Sequence, residues 1–214
     1  TQSGHGKIEI VEPTQELSAR EYFSVNYLQF IFFMLVGMLM VGAKQAKETT
    51  DLEARTELTP HSSLKKMVMK VITTAIEFYI FGLLYILIVH ILGWGFQGNL
   101  LQHGVSLLPI VFIFAGFGTI LTEIVPKKFA ILVYQLMNIA VLFVGGLLPP
   151  MGFLKGTFLD VFAGGNLLRA TIQPFLQTML GTFHWQNLIP YFIFATVLFG
   201  MSVVILSVVE RVKA

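Results

Sequence analysis

The chain has 214 residues, 55% of them hydrophobic and only 12% charged, with a mean hydropathy of +0.77. Soluble domains carry about 25% charged residues, so most of this chain is built for lipid rather than water. A net charge of +2 gives no basis for nucleic-acid binding, and the absence of cysteine excludes disulfides, thiolate metal sites and a catalytic thiol.

The N-terminal tail, 1–21, is polar and holds no apolar core, so it is not a signal peptide. Its stretch KIEIVEP, 7–13, alternates polar and apolar residues, as the last strand of an external domain or a frayed tail would. Five apolar runs follow, at about 23–43, 71–92, 105–124, 129–148 and 188–209. Each is near the roughly 20 residues that a helix needs to cross a bilayer. Backbone polar groups cannot stay unpaired in lipid, and continuous runs do not match the alternating strands of a barrel, so the runs predict helices. The expected fold is an all-α polytopic membrane protein with five transmembrane helices in a transmembrane domain over 22–214.

Between the first two runs lies the most charged stretch, the loop 44–70. Thr50-Asp51-Leu52-Glu53 has the form of a capping box, a hydroxyl followed three residues later by a glutamate. It predicts a short amphipathic helix from Asp51 to about Leu58, ended by Pro60 because the residue before proline avoids the helical region. Ser62 or Ser63 can cap the next helix, which runs through Lys65, Lys66 and Lys70 into the membrane. Such a segment is either a solvated loop or a docking element.

Lysine and arginine set the orientation. Lys44, Lys47, Arg55, Lys65, Lys66 and Lys70 lie in the loop, Lys127 and Lys128 between runs three and four, and Arg211 and Lys213 after the last run. The opposite side carries Lys7, Arg20, Lys155 and Arg169. Positive charge concentrates on the cytoplasmic face, so the loop and the C-terminus are expected in the cytoplasm and the N-terminus outside. An external start for five spans points to a further span before Thr1, six in all.

Within the runs, Glu77 is costly at membrane depth. It is either a partly hydrated packing contact or a polar point on a substrate path or dimer interface. Glu123 has Lys127 and Lys128 close in sequence and is expected to pair with them, and His90 reads as an interfacial side chain. GWGFQG, 93–98, matches G-x-G-x-x-G but follows an apolar run instead of a strand, so it is no nucleotide fingerprint. The segment 149–186 is broken by Lys155, Asp160, Arg169 and Pro174. It reads as two short amphipathic pieces in or partway through the interface, with Phe183 and Trp185 as anchors. No Walker A, H-E-x-x-H or G-x-S-x-G pattern occurs, so no catalytic residue, metal or cofactor is expected on this chain.

The run EYFSVNYLQFIFFMLVGMLMVGA, then Glu48, Arg55, Thr59-Pro60 and Lys70, resembles the membrane subunit of ABC-2 type transporters. Arg55 stands five residues before Pro60 and Lys70 ten after it, as in that family. Asp51-Leu52 replaces the family's usual Gly-Thr before the arginine, and Met69 its Gly before the lysine. Two further runs, LLPPMG at 147–152 and a long external segment before the last span extend the likeness over nearly the whole chain from Glu21.

The resemblance implies a permease with six spans, and in several members a large external domain after the first. It makes the loop a coupling helix that docks on a separate cytoplasmic ATPase, with Glu48, Glu53, Arg55, Leu58, Thr59, Pro60 and Lys70 binding and transmitting force. ATP and Mg²⁺ would sit on that partner. It also implies a second permease subunit, identical or not, and an outer gate that includes Pro149, Pro150, Asp160 and Arg169. The cargo would be an amphipathic or apolar molecule exported across a bacterial plasma membrane. The rival expectation is a membrane anchor or assembly protein without transport. An ion-coupled transporter should show inverted repeats, and the sequence has none.

Overall fold

The computed structural model describes residues 17–46, 63–144 and 167–213, and these are helical with no strand among them. Six α-helices follow in order: α1 (Ala19–Ala46), α2 (Ser63–Ile91), α3 (Leu100–Ile124), α4 (Ala130–Val144), α5 (Leu167–Met179) and α6 (Ile189–Lys213). Short 3-10 turns, Lys127–Phe129 and Trp185–Leu188, lead into α4 and α6. Four segments are long and apolar enough to cross a membrane: Ala19–Gly42, Val68–Ile91, Leu100–Ile124 and Trp185–Val208. The protein is an all-α, multi-pass membrane protein. The fourth expected run corresponds to α4, whose 15 described residues are followed by residues outside the description.

Three helices begin before their apolar runs; α2 does so at Ser63, as the serine pair led one to expect, and capping explains the other two. The Glu21 amide donates to Ser18 Oγ at 3.3 Å and the Ser18 amide donates to Glu21 Oε2 at 2.8 Å, a capping box that starts α1 at Ala19 instead of Phe23. Asn99 Oδ1 accepts from the Leu101 amide at 2.9 Å, so α3 starts at Leu100, not Val105. The capping box expected at Thr50–Glu53 lies outside the described residues.

The centre of the bundle is aromatic. Phe32 of α1 meets Phe78 of α2 and Phe114 of α3, with ring centroids 6.1 and 5.2 Å apart, and Phe33 meets Phe114 edge-on at 5.1 Å. Lipid tails are as apolar as these rings, so helices in a bilayer are held by close packing and not by exclusion of water. Small residues make that approach possible. A Cβ at Gly37 of α1 would overlap Cδ2 and Cε2 of Tyr134, so the ring of α4 sits directly on the backbone of α1. Contacts order the helices: α1 and α3 advance together from Phe33–Phe114 to Val36–Gly118, whereas α4 runs back against α1. Lys70, Glu123, Val125 and Lys127 therefore mark one end of the bundle, the basic end; Ser24, Trp94 and Asn99 mark the other.

The fifth helix is more than a surface cap. Ile172, Phe175 and Leu176 of α5 are buried in the main core with residues of α1, α2 and α3. Phe183 and Trp185 pair edge-to-face at 5.0 Å in the link to α6, where Trp185 stays exposed.

Candidate functional site

At the basic end, Lys70 Nζ donates to Glu123 Oε1 at 2.8 Å. Sequence proximity suggested Lys127 and Lys128 as partners of Glu123; this hydrogen-bonded ion pair reaches across to α2, because the first turns of α2 and the last turn of α3 lie side by side at this end. Lys70 is 39% exposed and Glu123 10%, so solvent screens the pair and its worth is about 1 kcal/mol or less. It joins the start of α2 to the base of α3. Lys128 Nζ lies 5.0 Å from the Phe129 ring centroid, a cation–π contact at the same end of the bundle.

Glu77 lies seven residues beyond Lys70, about 10 Å deeper along the axis. It is exposed, on a face of α2 shared with Thr73, Ile76 and Ile80. A charged side chain costs about 2.5–3.5 kcal/mol at the bilayer centre on insertion scales, and less toward its edges, so this face is costly to expose to lipid. Arg169 falls in the first turn of α5. Glu48, Glu53, Arg55, Leu58, Thr59 and Pro60, with Pro149, Pro150 and Asp160, lie outside the described residues. Of the expected coupling set, only Lys70 is placed.

At the opposite end the chain builds a polar site that the sequence reading passed over. The turn between α2 and α3 has three left-handed residues, Gly93 (φ 67°), Phe96 (φ 52°) and Gly98 (φ 100°). Glycine takes that conformation freely, but for a bulky residue it is an outlier. Phe96 is held there because its ring is fully buried, edge-on to Tyr85, His103 and Phe175 at 6.0, 5.4 and 5.6 Å. Its carbonyl accepts from His90 Nδ1 at 2.8 Å. Ser24 Oγ donates to the Trp94 carbonyl at 3.0 Å and Tyr85 OH to the Ser24 carbonyl at 2.8 Å, tying the turn to α1.

Behind this turn, Asn26 and Gln29 of α1, His103 and Ser106 of α3 and Thr171 of α5 are buried. Gln29 Nε2 donates to Thr171 Oγ1 at 2.9 Å, linking α1 to α5. His103 Nε2 lies 3.1 Å from the Gln97 carbonyl. A carbonyl only accepts, so Nε2 carries the hydrogen and Nδ1 is left as an acceptor. That Nδ1, Asn26 Oδ1, Ser106 Oγ and Tyr22 OH are buried with no hydrogen-bond partner among the described residues. Neutral acceptors and hydroxyls of this kind can orient water or a polar group. Among the described residues no three of His, Cys, Asp and Glu converge as a metal set. The signal was present in the sequence as uncharged polar residues inside apolar runs, and it was outweighed there by the carboxylate at position 77.

No protein-family model, no curated protein and no solved structure matches this chain. The likeness to ABC-2 permeases thus rests on the sequence layout alone.

Proposed function

We propose that this chain is the membrane permease subunit of an ATP-driven exporter of the ABC-2 type. In this reading a separate cytoplasmic ATPase binds ATP and Mg²⁺, a second permease subunit completes the pathway, and an amphipathic or apolar molecule leaves the cytoplasm or inner leaflet. The membrane is a bacterial plasma membrane with the basic end of the bundle inside.

The observation that carries the reading is the Lys70–Glu123 ion pair at 2.8 Å. A force delivered to the loop 44–70 enters the membrane through α2, and the pair passes it to α3. That helix packs against α1, α2, α5 and α6, so a displacement of its base is felt by the whole bundle. At the far end the same two helices are joined by the His90–Phe96 turn, where a tilt of α2 against α3 would open or close the outer mouth. Glu48, Glu53, Arg55, Leu58, Thr59 and Pro60 supply the docking surface, and Glu77 lines the path or the subunit boundary.

One feature favours a rival reading as a non-transporting anchor: the outer end is filled by Phe96, His103 and Phe175. The two are separated by gentle solubilisation with neighbouring proteins present. A permease brings an ATPase with it, and Arg55→Glu or Pro60→Ala releases that subunit while the membrane chain stays monodisperse. An anchor brings none.

A further inference from the structure

We propose that a crevice between α2, α3 and α6 is a binding site for one acyl chain of a membrane lipid. The cavity has a volume of about 290 Å³ and is open on one side. Ile72 of α2, Pro109 and Phe112 of α3, and Ala195 and Phe199 of α6 form its walls. All three walls belong to segments that are long and apolar enough to cross a membrane, so the medium at its mouth is hydrocarbon and not water.

Local sequence explains why the helices part here. At Gly116 of α3 a Cβ would lie 3.5 Å from the Leu198 carbonyl group, so α3 and α6 touch backbone to backbone at that level. Two turns before Gly116, α3 carries Pro109, and about one turn before Leu198, α6 carries Ala195, a ring without an N–H and a single methyl. Neither fills the space that the diverging helices leave. Phe112 and Phe199, with ring centroids 6.4 Å apart and edge-to-face, close the narrow end.

The lining selects the occupant. Thr196 is its one polar side chain, and its Oγ1 donates to the Phe192 carbonyl at 2.8 Å, leaving no free donor toward the cavity. A buried water needs two to four polar partners, so water is excluded on chemical grounds. The lining runs along α6 from Phe192 to Phe199, about 10 Å of helix length, which gives the site an elongated form along the membrane normal. A narrow, apolar trough parallel to the surrounding chains fits a segment of acyl chain. This inference concerns the resting bundle and does not depend on transport.

The test uses the full chain in vesicles of phosphatidylethanolamine and phosphatidylglycerol, doped with a phosphatidylcholine bearing a diazirine midway along one acyl chain. After illumination, crosslinked peptides are mapped by mass spectrometry. The expected result is labelling at Phe112 and Phe192–Phe199 several-fold above that on the exposed α4 face at Leu132 and Leu136. Ala195→Phe, which fills the trough, lowers labelling at the site and leaves the α4 face unchanged; Phe199→Ala, which enlarges it, raises labelling there. The second variant stands if the first does not fold. Labelling at the site no stronger than on the α4 face, or unmoved by either variant, reduces it to ordinary annular lipid and overturns the proposal. So does an absence of label, which would mean that protein covers the crevice.

Discussion

Gly37→Ala is the sharpest test of the packing that holds α4 in the bundle. The added methyl overlaps the Tyr134 ring, and an aromatic ring cannot yield by a few tenths of an ångström. Tyr134 belongs to a satellite cluster with Met40, Val125 and Ala130, so swinging it aside disturbs the turn at the basic end. Overpacking costs about 1–3 kcal/mol, whereas glycine-to-alanine in a helix interior returns about 1 kcal/mol. The net expectation is a loss of up to about 2 kcal/mol. In a Tyr134→Ala background the overlap is gone and only the helix term survives, so the same substitution becomes stabilising by up to about 1 kcal/mol. Unfolding by SDS in mixed micelles, followed for all four combinations, reads both values and their coupling. Equal effects of Gly37→Ala in the two backgrounds would refute the contact and with it the seating of α4 on α1.

Three further outcomes follow from the contacts described. Lys70→Glu and Glu123→Lys should each destabilise the protein in the same unfolding assay by about 1 kcal/mol or less, and the double exchange should recover most of the loss; additive losses would mean that the pair is idle. Thr171→Val should cost about 0.5–2 kcal/mol by removing the buried link to Gln29, with Gln29→Leu adding little on top, since intramembrane hydrogen bonds are of that size. Glu77→Leu should stabilise the isolated chain by about 1–3 kcal/mol, because the carboxylate is exposed where lipid lies; destabilisation would show that protein covers Glu77.

Most of the architecture is legible in the sequence because lipid is an unforgiving solvent. The runs at 23–43, 71–92, 105–124 and 188–209 each became a spanning helix, since a long apolar segment in a bilayer has no other way to pair its backbone. Helix starts were less legible, although the signals were there: Ser18 to Glu21 is a capping box as plain as Thr50 to Glu53. Attention to the apolar run alone placed the start too late. Partners distant in sequence were the least legible. Nothing near Glu123 points to Lys70, which lies 53 residues away, and nothing in GWGFQG announces that its phenylalanine is the keystone of an aromatic cluster. Charge draws the eye in a membrane protein, yet Asn26, Gln29, His103 and Ser106, which carry none in the neutral form, are the groups that the fold gathers and buries.

The central claim is that the loop 44–70 delivers force from an ATPase to the spans. Since the chain has no cysteine of its own, a single one at Glu57 gives a clean reporter. In gently purified material with its neighbours present, it should form a crosslink to a co-purifying ATPase subunit, and the yield should change when ATP is added. A folded preparation in which that cysteine meets no ATPase, with or without ATP, would contradict the claim.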